Sequence, residues 1–232
     1  MDPLKPLRLY IRNTREHRRL GHTVEVQVAS EFFGDEIGYL LCPEGFSRDT
    51  VVYSCGVGKN VDFDLALIRR FGMTIHAFDP TPRCLEWVQQ QALPAEFRFH
   101  PYGVADYDGT AQFHPPIREG APDFTVIERE ERGVGPAVDA QVRRLGTLMQ
   151  ELGHSHLDLL KLDIEGAEYP VIADLVNTRL PVGQILIEFH HRWPEFGEAK
   201  TREAVDLLRG AGFRIFSISK NRDYSLIRVP RS

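Results

Sequence analysis

The sequence predicts an α/β fold built on a doubly wound, mostly parallel sheet, and three observations predict it. Apolar runs of strand length alternate with stretches at helical spacing between residues 50 and 229. The run Val51-Val52-Tyr53 leads into Gly56-Val57-Gly58, where the backbone can turn tightly and approach a ligand. Three apolar runs finish on polar residues, at Asp79, at Asp163 and at Glu188 and His190. In a doubly wound sheet such strand ends converge on one crevice.

Residues 4–20 place Leu4, Leu7 and Ile11 on one face and Arg8, Arg12, Arg15, Arg18 and Arg19 elsewhere, the pattern of an amphipathic helix. Residues 23–29 alternate as an exposed strand, and Gly34, Gly38, Pro43 and Gly45 punctuate a loop-rich lead-in. Residues 1–49 therefore read as an appendage of helix plus loop, a lid or an oligomer contact, and 50–232 as the main domain. In that domain a first strand at Val51–Tyr53 precedes a helix with Val61, Leu65, Ile68 and Phe71 inward, and Met73–Phe78 is a second strand closing on Asp79. A helix over 82–92 with Leu85, Trp87 and Val88 inward follows Pro80-Thr81-Pro82. Glu96–His100 is the third strand, with Tyr102-Gly103 at its crevice end.

The pattern then changes. Asp108-Gly109 sits between alternating stretches in 105–113, a strong hairpin signal, and 115–136 is an insertion rich in Pro, Gly and charge. Val138–Leu145 reads as an edge strand and 146–152 as a short helix. Asp158–Asp163 is a buried strand, Glu168–Val176 a helix and Gln184–His190 another strand. Residues 198–210 are helical with Ala204, Leu207, Leu208 and Ala211 inward. Phe213–Ser219 and Tyr224–Val229 close the sheet as a hairpin turning through Lys220–Asp223.

A chain of 232 residues with 42% hydrophobic and 26% charged residues is one large globular domain, or one domain with an appendage. A net charge of −5 speaks against a nucleic-acid partner. Cys42, Cys55 and Cys84 form no C-x-x-C pair and their number is odd, which points to a reducing, cytoplasmic setting. The N-terminal stretch has no apolar signal-type core, and no run approaches the 18 apolar residues of a membrane span.

The glycine turn with an acid ending the next strand is nucleotide-site geometry, in which the carboxylate accepts hydrogen bonds from ribose hydroxyls. The dinucleotide fingerprint wants Gly or Ala at the position held by Val61, which weakens a pyrophosphate reading and with it an NAD-dependent oxidoreductase. S-Adenosylmethionine carries no phosphate and needs only backbone access and a ribose partner. The residues expected around it are Ser54, Cys55, Gly56, Val57, Gly58, Asp79, Pro80, Tyr102, Gly103 and Asp163.

The segment Lys161-Leu162-Asp163-Ile164-Glu165-Gly166-Ala167-Glu168 resembles the signature of the FkbM-type methyltransferases. The stretches 52–58, 78–82 and 187–191 are similar to that family's other blocks, in the same order, so the resemblance covers residues 50–229. It implies a seven-stranded class I fold, S-adenosylmethionine as cofactor, and methylation of a hydroxyl on a sugar or natural product. It also implies roles for Gly56 and Gly58 as the cofactor turn, Asp79 as the ribose acid, and Asp163 near the methionine moiety or the transferred methyl. His190 is the first candidate for the base, as a neutral imidazole at pH 7, and Asp163 the second, with Glu188 the third residue of the catalytic set. Asp163, Glu188 and His190 could alternatively hold Mg²⁺ or a similar cation, but no metal is assigned. The expected partner is a small-molecule or carbohydrate acceptor, with a homodimer left open. A cofactor-binding subunit without turnover is the non-enzyme alternative.

Overall fold

Val52, Tyr53, Ser54 and Cys55 are all buried, the pattern of a parallel strand covered on both faces. They form the centre of the computed structural model, which describes residues 20–35, 38–116, 124–126, 135–219 and 223–229. A hairpin of β1 (Glu31–Gly34) and β2 (Gly38–Leu41) precedes this central β3 (Val52–Cys55). Then come α1 (Asp62–Phe71), β4 (Ile75–Phe78), α2 (Pro82–Gln89) and β5 (Phe97–His100). A short excursion follows, made of β6 (Gly103–Val104), β7 (Gly109–Phe113) and β8 (Val138–Arg143). The chain continues as α3 (Leu145–Leu152), β9 (Leu157–Leu162), α4 (Glu168–Asn177), β10 (Val182–Glu188), α5 (Gly197–Gly210), β11 (Phe213–Ile218) and β12 (Asp223–Arg228).

The seven-stranded sheet runs β11-β12-β10-β9-β3-β4-β5, with β12 antiparallel to both neighbours and the other pairings parallel. The chain starts in the middle, winds outward through β4 and β5, then crosses back to β9 and winds the other way. The reversal falls between β3 and β9, so the crevice of a doubly wound sheet lies above their carboxyl ends.

The two faces bury separate cores. Leu148, Ile172, Leu175, Val205 and Leu208 of α3, α4 and α5 cover one face, over Tyr53, Leu160 and Ile185. Phe63, Leu67 and Ile68 of α1 cover the other, together with Phe33 and Tyr39 of the hairpin, over Val52, Ile75 and Leu159. No described helix is long and apolar enough to cross a membrane.

Several expectations are corrected. Residues 22–30 form no strand; Glu25 and Val26 donate backbone N–H groups to the Ile215 carbonyl at the sheet edge, and the Glu25 carboxylate accepts the Ile215 N–H at 2.8 Å and the Arg209 Nε–H at 2.7 Å. The glycine-punctuated lead-in is the β1–β2 hairpin, fixed to the sheet by buried Gln184, whose amide bonds the Cys42 N–H at 3.0 Å and its carbonyl at 2.7 Å. Asp108-Gly109 turns no hairpin, because β8 lies between β6 and β7. The Asp108 carboxylate instead accepts the Arg144 N–H and the Thr147 hydroxyl, both at 2.8 Å, at the start of α3. β8 is accordingly the middle strand of a separate three-stranded sheet and not an edge of the main one. On α1 the core face is Phe63, Leu67 and Ile68, with Leu65 and Phe71 half-exposed; on α5 Val205 is buried where Leu207 is 42% exposed. The amphipathic stretch at 4–20, apart from Leu20, and the turn at 220–222 lie outside the described residues.

Candidate functional site

At the end of β3 the backbone of Gly56 takes φ +85°, and its N–H donates to the Phe78 carbonyl at 2.9 Å. A Cβ there would collide with the Asp163 carbonyl oxygen, so only glycine lets β3 and the β9 turn approach this closely. Gly58, at φ +57°, has open space around it, and its N–H donates to Asp79 Oδ2 at 2.9 Å. Asp79 Oδ1 accepts the Thr81 N–H at 2.9 Å and the Thr81 hydroxyl at 2.6 Å. The carboxylate that ends β4 is therefore anchored by three protein donors at the rim of the glycine turn.

A cavity of about 220 Å³ lies above these strand ends. The glycine turn, Asp79, Pro80 and Thr81 form one side, and Asp163, Ile164 and Glu165 the opposite one. Gly103, Phe113, Phe124 and Val126 close it from the small sheet and the segment beyond it, while Tyr39, Phe63, Asp64 and Lys161 form the floor. Four carboxylates (Asp64, Asp79, Asp163, Glu165) face two ammonium groups (Lys59, Lys161) across this lining.

Glu165 has φ +51°, unusual for a residue with a side chain, and its carbonyl accepts the Thr125 hydroxyl at 2.6 Å. Its carboxylate stands 3.3 Å from His190 Nε2. Nδ1 of the same ring meets Glu168 Oε1 at 3.1 Å, and that oxygen also accepts the His190 backbone N–H at 3.0 Å. Glu168 Oε2 takes the Gly166 N–H at 2.9 Å, so this fully buried acid at the start of α4 orients both the loop and the imidazole. Burial alone would lower the His190 pKa. The Glu168 hydrogen bond and charge, then the charges of Glu165 and Asp163, outweigh it and hold the imidazole up at about 9. The expected neutral imidazole is thus an imidazolium at pH 7. Asp163, Glu165 and His190 each bring a ligand atom within 4.8 Å of the others, a spacing that suits a divalent cation, and Glu188 is not of that set.

The structure brings Gly56, Val57, Gly58, Asp79, Pro80, Gly103 and Asp163 together on the cavity wall. Ser54 and Cys55 lie within β3 below the turn, and burial pushes the Cys55 thiol up to about 12. Tyr102 packs under Arg143, whose guanidinium lies 5.3 Å from its ring, and does not line the cavity. Glu188 ends β10 opposite Asp223, and with Asp163, Asp223 and Asp64 it adds to the burial that raises the Tyr39 phenol. His190 stands behind Glu165 and not on the wall itself.

The polar residues of the cavity floor, Tyr39, Asp64 and Lys161, are among the lining residues that had no place in the sequence-based set. Two left a signal. Lys161 interrupts the otherwise apolar end of a strand, and Asp64 stands three and four residues before Leu67 and Ile68, on the buried side of α1. Tyr39 left none, because its strand was read as loop.

A seven-stranded sheet of this order, with one antiparallel strand and a glycine turn at the reversal point, defines the Rossmann-like architecture of class I methyltransferases. The methyltransferase FkbM domain matches residues 54–215, and the chain belongs to that family. A probable methyltransferase-like protein 24 of Rattus norvegicus is 28% identical over 162 residues, 66% of this chain and 36% of that protein. This chain thus spans little more than a third of that relative's length. The 31-O-demethyl-FK506 methyltransferase FkbM of Streptomyces tacrolimicus is 25% identical over 194 residues, 71% of this chain and 73% of that one. The 2-O-methyltransferase NoeI of Sinorhizobium fredii is 24% identical over 173 residues, covering 69% and 71%.

Proposed function

We propose that the protein transfers a methyl group from S-adenosylmethionine to a hydroxyl of a sugar or natural-product acceptor. The observation that carries the reading is the cavity, which spans from the glycine turn and Asp79 to Asp163 and Glu165 and is lined by twice as many carboxylates as ammonium groups. That excess suits a sulfonium cation and opposes the pyrophosphate of a dinucleotide. Two relatives named for O-methylation, in Streptomyces tacrolimicus and Sinorhizobium fredii, support a hydroxyl acceptor. The aromatic rings of Phe113 and Phe124 give a ring-shaped acceptor an apolar wall.

In the reaction the acceptor oxygen bonds to the methyl carbon as the carbon–sulfur bond breaks, and its electron pair stays on sulfur. Holding oxygen and methyl in line supplies up to about 7–11 kcal/mol of the barrier reduction. The hydroxyl proton leaves to Glu165, the carboxylate that lines the cavity; His190, kept protonated by Glu165 and Glu168, positions it. Asp163, on the same wall, orients the reacting groups, and Glu188 takes no step.

Calorimetric titration tests the cofactor first. S-Adenosylhomocysteine is expected to bind in the micromolar range and NAD not at all, and binding of NAD alone would overturn the assignment. Labelled-methyl transfer to a panel of hydroxylated acceptors tests turnover; cofactor binding with transfer to none of them would favour a cofactor-binding subunit. Glu165→Gln is expected to slow transfer by about 10²-fold or more at unchanged cofactor affinity. An unchanged rate would remove Glu165 as the base. Repeating the assay with a chelator asks whether the Asp163–Glu165–His190 set works through a metal, since a chelator leaves the acid–base route untouched.

A further inference from the structure

Thr125 sits between two residues of the cavity wall, and it is only 1% exposed. Its backbone is paired with His114, just past β7. The His114 N–H donates to the Thr125 carbonyl at 2.7 Å, and the Thr125 N–H to the His114 carbonyl at 3.1 Å. Phe124 and Val126, on either side, line the cavity and pack against the cluster of Ala105, Ala111, Phe113 and Val142. In extended backbone successive side chains point to opposite faces, so the Thr125 side chain turns away from that packing. Its hydroxyl donates to the Glu165 carbonyl at 2.6 Å. Valine would match threonine in shape if packing were its whole task; the hydroxyl is the part that reaches the site.

The Glu165 carbonyl and the Gly166 N–H belong to one peptide unit and point in opposite directions. Thr125 holds the carbonyl from one side, and Glu168 Oε2 holds the N–H at 2.9 Å from the other. That unit needs holding at both ends. Glu165 has left-handed backbone at φ +51°, and Gly166, at φ +97°, has no side chain to stop the plane from turning over. Glu168 also orients His190, whose Nε2 stands 3.3 Å from the Glu165 carboxylate. We propose that Thr125 is a positioning residue for the Glu165 carboxylate: by clamping the Glu165–Gly166 peptide it aims that carboxylate at an acceptor hydroxyl seated against Phe124 and Val126. The inference rests on the methyl-transfer reading, with Glu165 as the group that takes the proton. One three-residue segment then serves both reactants, Phe124 and Val126 carrying the acceptor and Thr125 setting the base. The acceptor class that fits has an apolar ring face next to the hydroxyl that is methylated.

The test uses labelled-methyl transfer to the fastest acceptor of the hydroxylated panel. Thr125→Val, which keeps the shape and loses the hydroxyl, is expected to lower kcat about 10-fold, since a base misplaced by about 1 Å can cost about 100-fold. The acceptor KM and the affinity for S-adenosylhomocysteine should not change, and Thr125→Ser should restore the rate. On a Glu165→Gln background Thr125→Val should cost nothing further, because a residue that acts through Glu165 has no effect once that carboxylate is gone. Amide exchange at Gly166 gives a readout without any acceptor: it should quicken in Thr125→Val and not in Thr125→Ser. Equal losses on both backgrounds, or weaker S-adenosylhomocysteine binding by Thr125→Val, would mean that Thr125 only shapes the cavity. An unchanged kcat or unchanged Gly166 exchange would mean that the peptide holds its place without it; each of these results overturns the proposal. A slow Glu165→Gln beside an unaffected Thr125→Val overturns this inference alone. A Glu165→Gln as fast as wild type, or a wild type that methylates none of the panel, overturns the underlying reading and this inference with it.

Discussion

Gly56 and Gly58 stand two residues apart in one turn, yet they carry different constraints. At Gly56 a left-handed backbone coincides with contact against the Asp163 carbonyl; at Gly58 only the backbone conformation is unusual. Gly56→Ala is expected to cost about 3 kcal/mol or more, adding steric overlap to backbone strain. Gly58→Ala should cost about 1–2 kcal/mol from strain alone. Urea unfolding of the two variants checks the order, and equal losses would show that the β9 turn moves away freely. The spacing of the motif made both glycines legible as a ligand turn, but their inequality was not, because the atom that crowds Gly56 arrives from a strand more than a hundred residues later. The same holds for His190. Its position at a strand end was readable, whereas its charge follows from Glu165 and Glu168, whose orientation depends on the turn into α4. Residue type alone suggests a neutral imidazole; two facing carboxylates reverse that.

At the scale of elements, the β1–β2 hairpin shows how a short structure escapes a sequence reading. Four-residue strands leave little periodicity, and glycines at 34, 38 and 45 look like a loop. What holds the hairpin is tertiary: Phe33, Tyr39 and Leu41 enter the core, and Gln184 bonds both backbone groups of Cys42 from the middle of β10. Gln184→Leu leaves those two buried groups without their partner, and we expect a loss of about 2–4 kcal/mol in the unfolding free energy. Because Tyr39 belongs to the cavity floor, the variant should also bind S-adenosylhomocysteine more weakly, by calorimetry. Undiminished stability would mean that the hairpin is held by its apolar contacts alone. The misread hairpin at Asp108-Gly109 has a related cause. Its aspartate carries a turn signal, but the side chain is taken up by the first turn of α3, and β8 inserts where the returning strand was expected.

For the whole molecule, the runs at 51–53, 73–78, 96–100, 158–163, 184–190, 213–219 and 224–229 all became strands of the one large sheet, while the strand read at 138–145 did not join it; burial on both faces makes β3, β4, β9 and β10 mostly apolar. Their lateral order came only with the family resemblance, since it depends on crossovers that no single run encodes. Buried His76 also packs with two half-buried histidines, His100 and His154. His76 Nδ1 of β4 and His100 Nε2 of β5 are 3.0 Å apart, and the His154 ring stands 5.0 Å from His76 with its Nδ1 2.9 Å from the Tyr53 hydroxyl. Burial, then the neighbouring histidines and Arg98, lowers His76 to about 4, and burial lowers His100 and His154 as well. The unfolded chain therefore takes up these protons first. Their stabilising effect is complete above pH 6.5 and is lost as the pH falls toward 4. Denaturation midpoints are expected to fall over that range, and His76→Gln should flatten the decline; a decline unaltered by the substitution would place the acid-sensitive groups elsewhere.

The position of β12 has a consequence for how the chain is made. It follows β11 in sequence yet lies between β11 and β10, contributing the one antiparallel strand. During synthesis β10 and β11 leave the ribosome with no partner for their facing edges, and they wait for residues 223–228 to slot between them. Until then the nascent protein carries two unpaired strand edges, the exposure that invites association with other chains. The sheet is thus completed at this end only when residues 223–228 pair with both strands, and a chain cut before residue 223 would hold an open sheet suited to chaperone capture.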